Sequence, residues 1–429
     1  MQNVKGTYDF IGPAQALRKK VQDILTEVFE LYDFKGMETA VLNELDLLAS
    51  KYAGGDEILN EMYRLTDQGS RSLGLRYDLT IPFAKTIALN PGLEMPYKRY
   101  EIGKVFRDGP VKRGRLREFL QCDVDMVGIA GPEAEAELML LAVDAFGRLD
   151  IPVELRWNNQ RFLSDVLAAM GVPANDLSSV MLTLDKLAKI GLEGVERELA
   201  QKGIGDGVKQ AILAFASGEK LTWDAVASRY NITNSQGTQE VAELDRLIRE
   251  LGLEQRCIFD PFLSRGLSFY TGTVYELYDA SGVYPSSLGA GGRYDAIIGK
   301  LIGREEIAYK AVGLSFGMEA ILEMIRDRPL ILPAAQAVVV PIGEEGKVGA
   351  LRAAAELRRA GIRTALESSG RRLKKALAAA SGKGIRYVVI IGGDEAAKGQ
   401  VRLKDMSLST EVLLSLREAS AAILAQPTS

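Results

Sequence analysis

The 429-residue chain has no histidine and only two cysteines, Cys122 and Cys257. Without imidazole there can be no Ser-His-Asp or Cys-His catalytic unit, no His-based zinc site and no imidazole acid–base step. Two cysteines build neither a disulfide framework nor a structural zinc site, so zinc is not expected as a cofactor and a cytoplasmic, reducing location is. Neither cysteine has a histidine partner, so both are expected in the core. No apolar run reaches the roughly 20 residues that span a bilayer, so no membrane partner is expected. The start, MQNVKGTYDF, lacks the apolar centre of a signal peptide. No GxxxxGK[ST] occurs, which excludes a P-loop ATPase. Chemistry is left to Arg, Lys, carboxylates, hydroxyls, the backbone and a hard cation such as Mg²⁺.

What is present is soluble-protein composition, 47% apolar and 26% charged, in a chain long enough for two or three domains. The net charge of −4 is unevenly placed. From Ala334 onward there are 15 Lys and Arg against 9 Asp and Glu, leaving 38 against 48 in the rest. A basic tail on an acidic body points to a polyanionic partner, although charged helices can also be uneven by chance.

The stretch Tyr100–Gly128 reads as a hairpin. Tyr100, Ile102, Val105 and Phe106 make a strand-like run among polar neighbours, Asp108-Gly109-Pro110 is a turn signal, and Phe119 to Val127 is the return strand, carrying Asp123 and Asp125. Between them lies a basic loop with Lys112, Arg113, Arg115 and Arg117. An arginine on one strand and a phenylalanine on the other suit a nucleoside triphosphate, the guanidinium gripping phosphate and the ring stacking on the base. An ordinary hairpin with a solvated loop fits the same stretch.

Around this hairpin, Pro13 opens a helix whose apolar stripe runs from Leu17 to Phe29 and ends near Tyr32-Asp33. Met37 to Leu42 reads as a strand, Lys51 to Ser70 as loop, and Leu73 to Phe83 as a strand that Pro82 places at an edge. Glu133 to Leu149 is an amphipathic helix and Val153 to Trp157 a strand. Helical patterns then dominate from Arg161 to about Glu254. Strands resume at Cys257, and VGLSFGMEAILEMI, within Ala311 to Ile325, reads as a strand entering a helix. After the Pro-spaced stretch 328–334, strands Gln336–Pro341, Ile362–Leu366 and Tyr387–Ile391 alternate with helices Lys347–Ala360, Arg372–Ala380 and Glu411–Leu424. That rhythm predicts an α/β domain with a parallel core. The expected organisation is a catalytic domain over 1–327 with a helical insertion at about 170–254, a linker at 328–334 and a separate domain over 335–429. The fold class expected for the catalytic domain is α+β, a mostly antiparallel sheet flanked by helices, because its strands come as hairpins.

Gly289-Ala-Gly-Gly-Arg-Tyr-Asp295 does not fit a dinucleotide fingerprint. It reads either as structure or as close backbone approach to a ligand, with Arg293 available for an anion. Arg265-Gly266, near Phe269 and Tyr270, is open in the same way.

Together LRYDLT, the hairpin's FR…RGRLREF…QCDVD, RGLSFYTGTVYE, GGRYD and VGLSFG occur in an order that resembles the histidyl-tRNA synthetase family, which belongs to the class II aminoacyl-tRNA synthetases. KGTYDF resembles that family's start. LRRAGIRTALESSGRRLKKALAAASGKGIRYVVIIGGDE resembles its anticodon-binding domain, so the likeness spans nearly the whole chain. The resemblance implies a homodimer that activates histidine with ATP and Mg²⁺ and passes it to the 3′ end of tRNA(His). It implies that Arg107 and Arg265 hold the α-phosphate as the catalytic guanidinium groups. Phe119 would underlie the adenine, with Glu118 also at the ATP. Asp78, Thr80 and Gln121 would hold the α-amino end. Asp125 and Tyr270 would read the imidazole, and Gly291, Gly292, Arg293 and Tyr294 would line the amino-acid pocket. Arg113, Arg115, Arg371, Arg372, Lys374 and Lys375 would face tRNA.

The chain departs from the family pattern at Ala320, where an arginine usually grips the γ-phosphate. One lost charge-assisted contact is worth about 1.5–3 kcal/mol, and Arg326, six residues on, points from another helix face. Ser268 and Phe269 replace an acid and a tyrosine, and Ala40 replaces a proline. Two other readings accompany the ligase: a histidine-binding paralogue resembling the regulatory subunit of ATP phosphoribosyltransferase, and an enzyme activating an amino acid for a non-tRNA acceptor.

Overall fold

The computed structural model describes residues 1–49, 59–112, 114–218, 221–264, 269–304, 309–328 and 335–425. Two units are distinguished, Met1–Arg328 and Pro329–Ser429. The strands of the first run β1 (Lys35–Gly36), β2 (Leu42–Glu44), β3 (Arg64–Thr66), β4 (Ser72–Leu75), β5 (Tyr97–Phe106), β6 (Glu118–Val127), β7 (Val153–Asn159), β8 (Cys257–Phe259), β9 (Thr273–Asp279), β10 (Gly289–Arg293) and β11 (Ala311–Gly317). Eight of them form one sheet in the order β1-β5-β6-β11-β10-β9-β7-β8, and β2-β4-β3 form a small second sheet. In the large sheet only β1–β5 and β7–β8 pair in parallel; the pairs in between are antiparallel.

Alternation along β6 explains how this sheet serves both core and site. Cys122, Val124 and Met126 point to one face and are buried against the helices, with Leu314 and Phe316 of β11 beside them. The helix Gly12–Leu31 brings Val21, Leu25, Val28 and Phe29 into that core, and Glu133–Arg148 adds Leu138, Met139, Leu141 and Phe146. Each such side chain contributes about 1.5–3 kcal/mol on burial. Gln121, Asp123 and Asp125 point to the other face, as the period of two requires. Both cysteines are buried, and burial pushes the Cys257 thiol up to about 12, so neither is a ready nucleophile. Between Gln160 and Glu250 the elements formed by the described residues are all helices, and Val166, Val180, Val195, Ile212, Val226 and Val241 continue the same core.

The second unit carries β12 (Ala337–Pro341), β13 (Thr364–Leu366), β14 (Tyr387–Ile391), β15 (Gln400–Asp405) and β16 (Thr410–Ser415), in the order β13-β12-β14-β15-β16. The first three pair in parallel and the last two form an antiparallel hairpin. Val339 and Val389 face one core, Val338 and Val388 the other, so this sheet is covered on both faces.

Four expectations are corrected. Met37 to Leu42 is not one strand: pairing covers Lys35–Gly36 and then Leu42–Glu44. Within the expected loop, Arg64–Thr66 pairs with β4; residues 50–58 lie outside the described residues. The run Leu73–Phe83 stops being a strand at Leu75, and Thr80–Leu89 is a helix. Its start is capped by Asp78, whose Oδ1 accepts the Thr80 and Ile81 N–H groups at 3.1 Å each. Pro82 sits in the first turn, where no intrahelical donor is needed. In the second unit Glu411–Leu424 is not one helix, because Thr410–Ser415 is the edge strand. Ser415 begins the helix Leu416–Leu424 with a capping box: its Oγ accepts from Glu418 N, and Glu418 Oε2 accepts from Ser415 N at 2.8 Å. The stretch 329–334 lies outside the described residues.

Candidate active site

On the polar face of the eight-stranded sheet lies a cavity of about 620 Å³, within the usual range for small-ligand sites. Its floor follows from register. Gln121, Asp123 and Asp125 of β6 stand opposite Gly317, Ser315 and Gly313 of β11. Gly313 and Gly291 are glycine because of close approach. A Cβ on Gly313 would sit 1.9 Å from Asp125 Oδ1, and one on Gly291 would sit 2.0 Å from the Gly313 carbonyl oxygen. The glycine-rich stretch is therefore a central strand shaped by its neighbours.

Arg107 follows β5 and stands at the cavity wall. Its guanidinium carbon is 4.3 Å from the centroid of Tyr77 and 4.9 Å from that of Phe119. Nε donates to the Tyr77 carbonyl at 3.3 Å, and an Nη lies 3.4 Å from Gln121 Oε1. This is a planar cation held by π faces and weak hydrogen bonds, with donor capacity left for an anion.

At the far end, Arg99 is fully buried. It lies 2.7 Å from Asp125 Oδ2 and 3.8 Å from Glu101, over the Phe83 ring, and it donates to the Leu79 carbonyl. Burial alone would lower its pKa; Asp125 and Asp123 overcome that and hold it above the usual value. The hydroxyl of Tyr294 donates to Asp125 Oδ1 at 2.5 Å. Burial, and then the Asp125 charge, push the Tyr294 phenol well up. Arg76, also buried, pairs with Glu101 at 2.7 Å and passes through space left by Gly103. Asp123 is pushed up to about 7, first by burial; Arg99 pulls the other way and Asp125 adds to the rise.

The cavity brings together Asp78, Thr80, Arg107, Arg115, Phe119, Gln121, Asp125, Tyr270, Gly291, Gly292 and Tyr294. Arg115 is already engaged, its Nη2 donating to Glu61 at 2.7 and 3.0 Å. Two expected residues are elsewhere. Glu118 is not in the lining and pairs with Lys104 at 2.5 Å. Arg293 does not line the cavity and is not available for an anion: Nε and Nη2 donate to Glu135 at 2.7 and 2.6 Å, and the carbonyls of Ile129 and Gly131 accept the rest. Arg265, Ser268 and Arg113 lie outside the described residues. Arg371, Arg372, Lys374 and Lys375 are exposed in the second unit, at the start of the helix Leu373–Gly382. Ala320 lines the cavity, beside Glu319, whose carboxylate takes two hydrogen bonds from Arg18 at 2.8 and 2.9 Å. Arg326 pairs with Glu323 instead.

Sequence reasoning misses Asp123, Ser315, Glu276, Tyr284 and Ser287 as lining residues. For Asp123 the signal is present: the period of two that places Gln121 and Asp125 on one face places Asp123 between them. Tyr284 and Ser287 arrive from the loop between β9 and β10, which no local pattern aims at the cavity. Among the described residues no group of three or more metal-ligating side chains occurs.

Comparison with known proteins supplies a family. A model described as histidyl-tRNA synthetase matches residues 7–321, and one described as anticodon binding domain matches 336–426. Histidine--tRNA ligase 1 of Bacillus anthracis is 43% identical over 423 residues, covering 98% of this chain and 99% of that one. The protein of the same name from Bacillus cereus (strain ATCC 10987 / NRS 248) is 44% identical over 419 residues, covering 97% and 95%. The crystal structure of histidyl-tRNA synthetase from Nostoc sp. PCC 7120 matches over 99% of both chains with a TM-score of 0.80 at 27% identity.

Proposed function

The chain belongs to the histidyl-tRNA synthetase family, and on that premise we propose how its cavity joins histidine to tRNA(His). It is an aminoacyl-tRNA ligase that uses ATP. In the first step a histidine carboxylate oxygen attacks the α-phosphorus of ATP, a new P–O bond forms, the bond to the β-phosphate oxygen breaks and pyrophosphate leaves. A terminal ribose hydroxyl of the tRNA then attacks the activated carbonyl and AMP leaves. Neither step needs a protein nucleophile, which accords with a chain lacking histidine. What the first step needs is two anions held together while charge develops between them.

Arg107 is assigned to the α-phosphate and the carboxylate, with Phe119 under the adenine. The single observation that carries this is the guanidinium of Arg107 seated against the ring of Phe119 at the cavity wall. Arg265 is assigned as its partner. Gln121, Asp78 and Thr80 are assigned to the α-ammonium, and Asp125 with Tyr270 to the imidazole. A site built to accept imidazole N–H groups rejects isosteres that lack them. Mg²⁺ is proposed to enter with the triphosphate, since this ion is commonly held through phosphate oxygens, water and one or two carboxylates. The unit over 335–429 is assigned to the anticodon, with Arg371, Arg372, Lys374 and Lys375 facing the polyanion, and Arg113 and Arg115 to the acceptor end. A cytoplasmic homodimer completes the proposal.

The regulatory-paralogue reading is not favoured, because relatives matching nearly the whole chain carry the ligase name. Incubation with ATP, labelled histidine and total tRNA tests the function. Label is expected in tRNA(His) alone. Histidine binding without charging would point to the paralogue, and pyrophosphate exchange without charging to a non-tRNA acceptor.

A further inference from the structure

The row of residues that carries Asp125 continues across the large sheet. Direct pairing runs from Asp125 of β6 to Gly313, Gly292, Val274 and then Asn158 of β7. Residues paired in this way point to the same face. Asn158 therefore belongs to the polar face, although it is fully buried. Its amide nitrogen donates to two backbone carbonyls, Pro261 at 3.1 Å and Leu263 at 2.9 Å. Both lie in the connection that leaves β8.

The same short stretch is held from a second direction. Ser264 is fully buried as well, and its Oγ donates to the Met181 carbonyl at 2.7 Å. Met181 lies in the helix Leu177–Leu184, between β7 and β8. Its carbonyl also accepts Asp185 N at 2.9 Å, so both lone pairs are in use. The ring of Phe262 stands 4.7 Å from that of Phe215, on the helix Asp206–Ser217. Upstream, Asp260 N donates to the Trp157 carbonyl at 2.9 Å. Bonds from separate parts of the chain thus fix residues 260–264, and one peptide bond leads on to Arg265.

The far end of the connection is fixed too. Phe269 and Tyr270 line the cavity. Thr271 N donates to the Arg293 carbonyl at 2.8 Å, and Thr271 Oγ1 accepts from Asp295 N at 3.1 Å. Arg293 is itself locked to Glu135. Residues 265–268, which lie outside the described residues, join the two anchors. In the functional reading above, on which this inference rests, Arg265 serves the α-phosphate.

We propose that Asn158 and Ser264 are positioning residues for adenylate formation. They fix the backbone from which Arg265 reaches the α-phosphate, and through the Met181 carbonyl the helices between β7 and β8 take part in the first step. Neither side chain lines the cavity, so both act through Arg265. An arginine is long and rich in rotamers, and its guanidinium serves developing charge best when the backbone beneath it is already placed. A misplacement of about 1 Å caused by a group remote from the chemistry costs on the order of 10²-fold.

Histidine-dependent pyrophosphate exchange by the full chain tests this. Asn158→Ala is expected to lower kcat about 10²-fold and Ser264→Ala about tenfold, with KM for ATP and for histidine within about threefold of native. The same substitutions are then made in Arg265→Ala. There each should cost less than about twofold, because the side chain that they position is gone. A role confined to stability lowers exchange by the same factor in both backgrounds, and that result overturns the inference, as does a native kcat in either single variant. Should Asn158→Ala fail to fold, which tryptophan fluorescence reads, Ser264→Ala decides alone: it removes one hydroxyl and leaves the Met181 carbonyl its bond from Asp185. Arg265→Ala exchanging at the native rate would defeat the assignment of Arg265 itself, and this inference with it.

Discussion

Arg107→Ala is expected to lower histidine-dependent ATP–pyrophosphate exchange by at least about 10²–10³-fold, the cost of removing one preorganised donor from a charge-developing site. The geometry explains why nothing nearby replaces it. Among the described residues the cavity is lined by one other cation, Arg115, and that one is paired with Glu61. Arg107→Lys is expected to recover little. An ammonium cannot lie flat between Tyr77 and Phe119, and it offers a phosphate a point charge in place of a fork. Histidine binding without ATP should change far less than exchange does, because Asp78, Gln121 and Asp125 remain. Exchange within tenfold of the native rate in Arg107→Ala would mean that the triphosphate is activated elsewhere.

The second large effect is on stability. Arg99→Met is expected to destabilise the first unit by about 3–5 kcal/mol, the cost of breaking a buried ion pair from one side. Arg99 is fully buried, and its removal strands Asp125 without a cation and takes a second cation from Glu101. The two tryptophans, Trp157 and Trp223, both belong to the first unit, so their fluorescence during urea unfolding reports that unit alone. The double variant Arg99→Met with Asp125→Leu should recover much of the loss, since it removes both charges together, while abolishing histidine binding. A single-variant loss below about 1 kcal/mol would mean that water reaches the pair, as it does at exposed bridges.

The parts of the fold legible in the sequence are those whose signal is local. The β5–β6 hairpin declares itself by alternation on both sides of a turn, and Ala311–Ile325 by a short apolar run that changes period. Local signals also mislead. Asp78 and Thr80 alternate with apolar residues as a strand would, yet Asp78 is a helix cap. A single helix over Glu411–Leu424 swallows the strand Thr410–Ser415, although Ser415-x-x-Glu418 marks the helix start where the structure has it. Strand β15 has no counterpart among the expected elements, and β16 is the edge that pairs only with it.

At the site, residues on one strand face can be grouped in advance, because Gln121 and Asp125 are tied by a period of two. Arg293 cannot be placed in this way. An arginine after two glycines resembles an anion grip, but its partner Glu135 lies 158 residues away in sequence, on a helix whose packing no local pattern reveals. The same holds for Glu118, where the charge spent on Lys104 comes from the paired strand.

The central claim is that ATP and histidine meet on the floor formed by β6, β10 and β11, with Arg107 between them. A crystal structure of the chain soaked with histidine and a non-hydrolysable ATP analogue tests it most directly. The adenine should lie on the Phe119 ring, the Arg107 guanidinium should contact the α-phosphate, and the imidazole should sit against Asp125 and Tyr270. An adenine bound away from Phe119, or an imidazole turned from Asp125, would contradict the account.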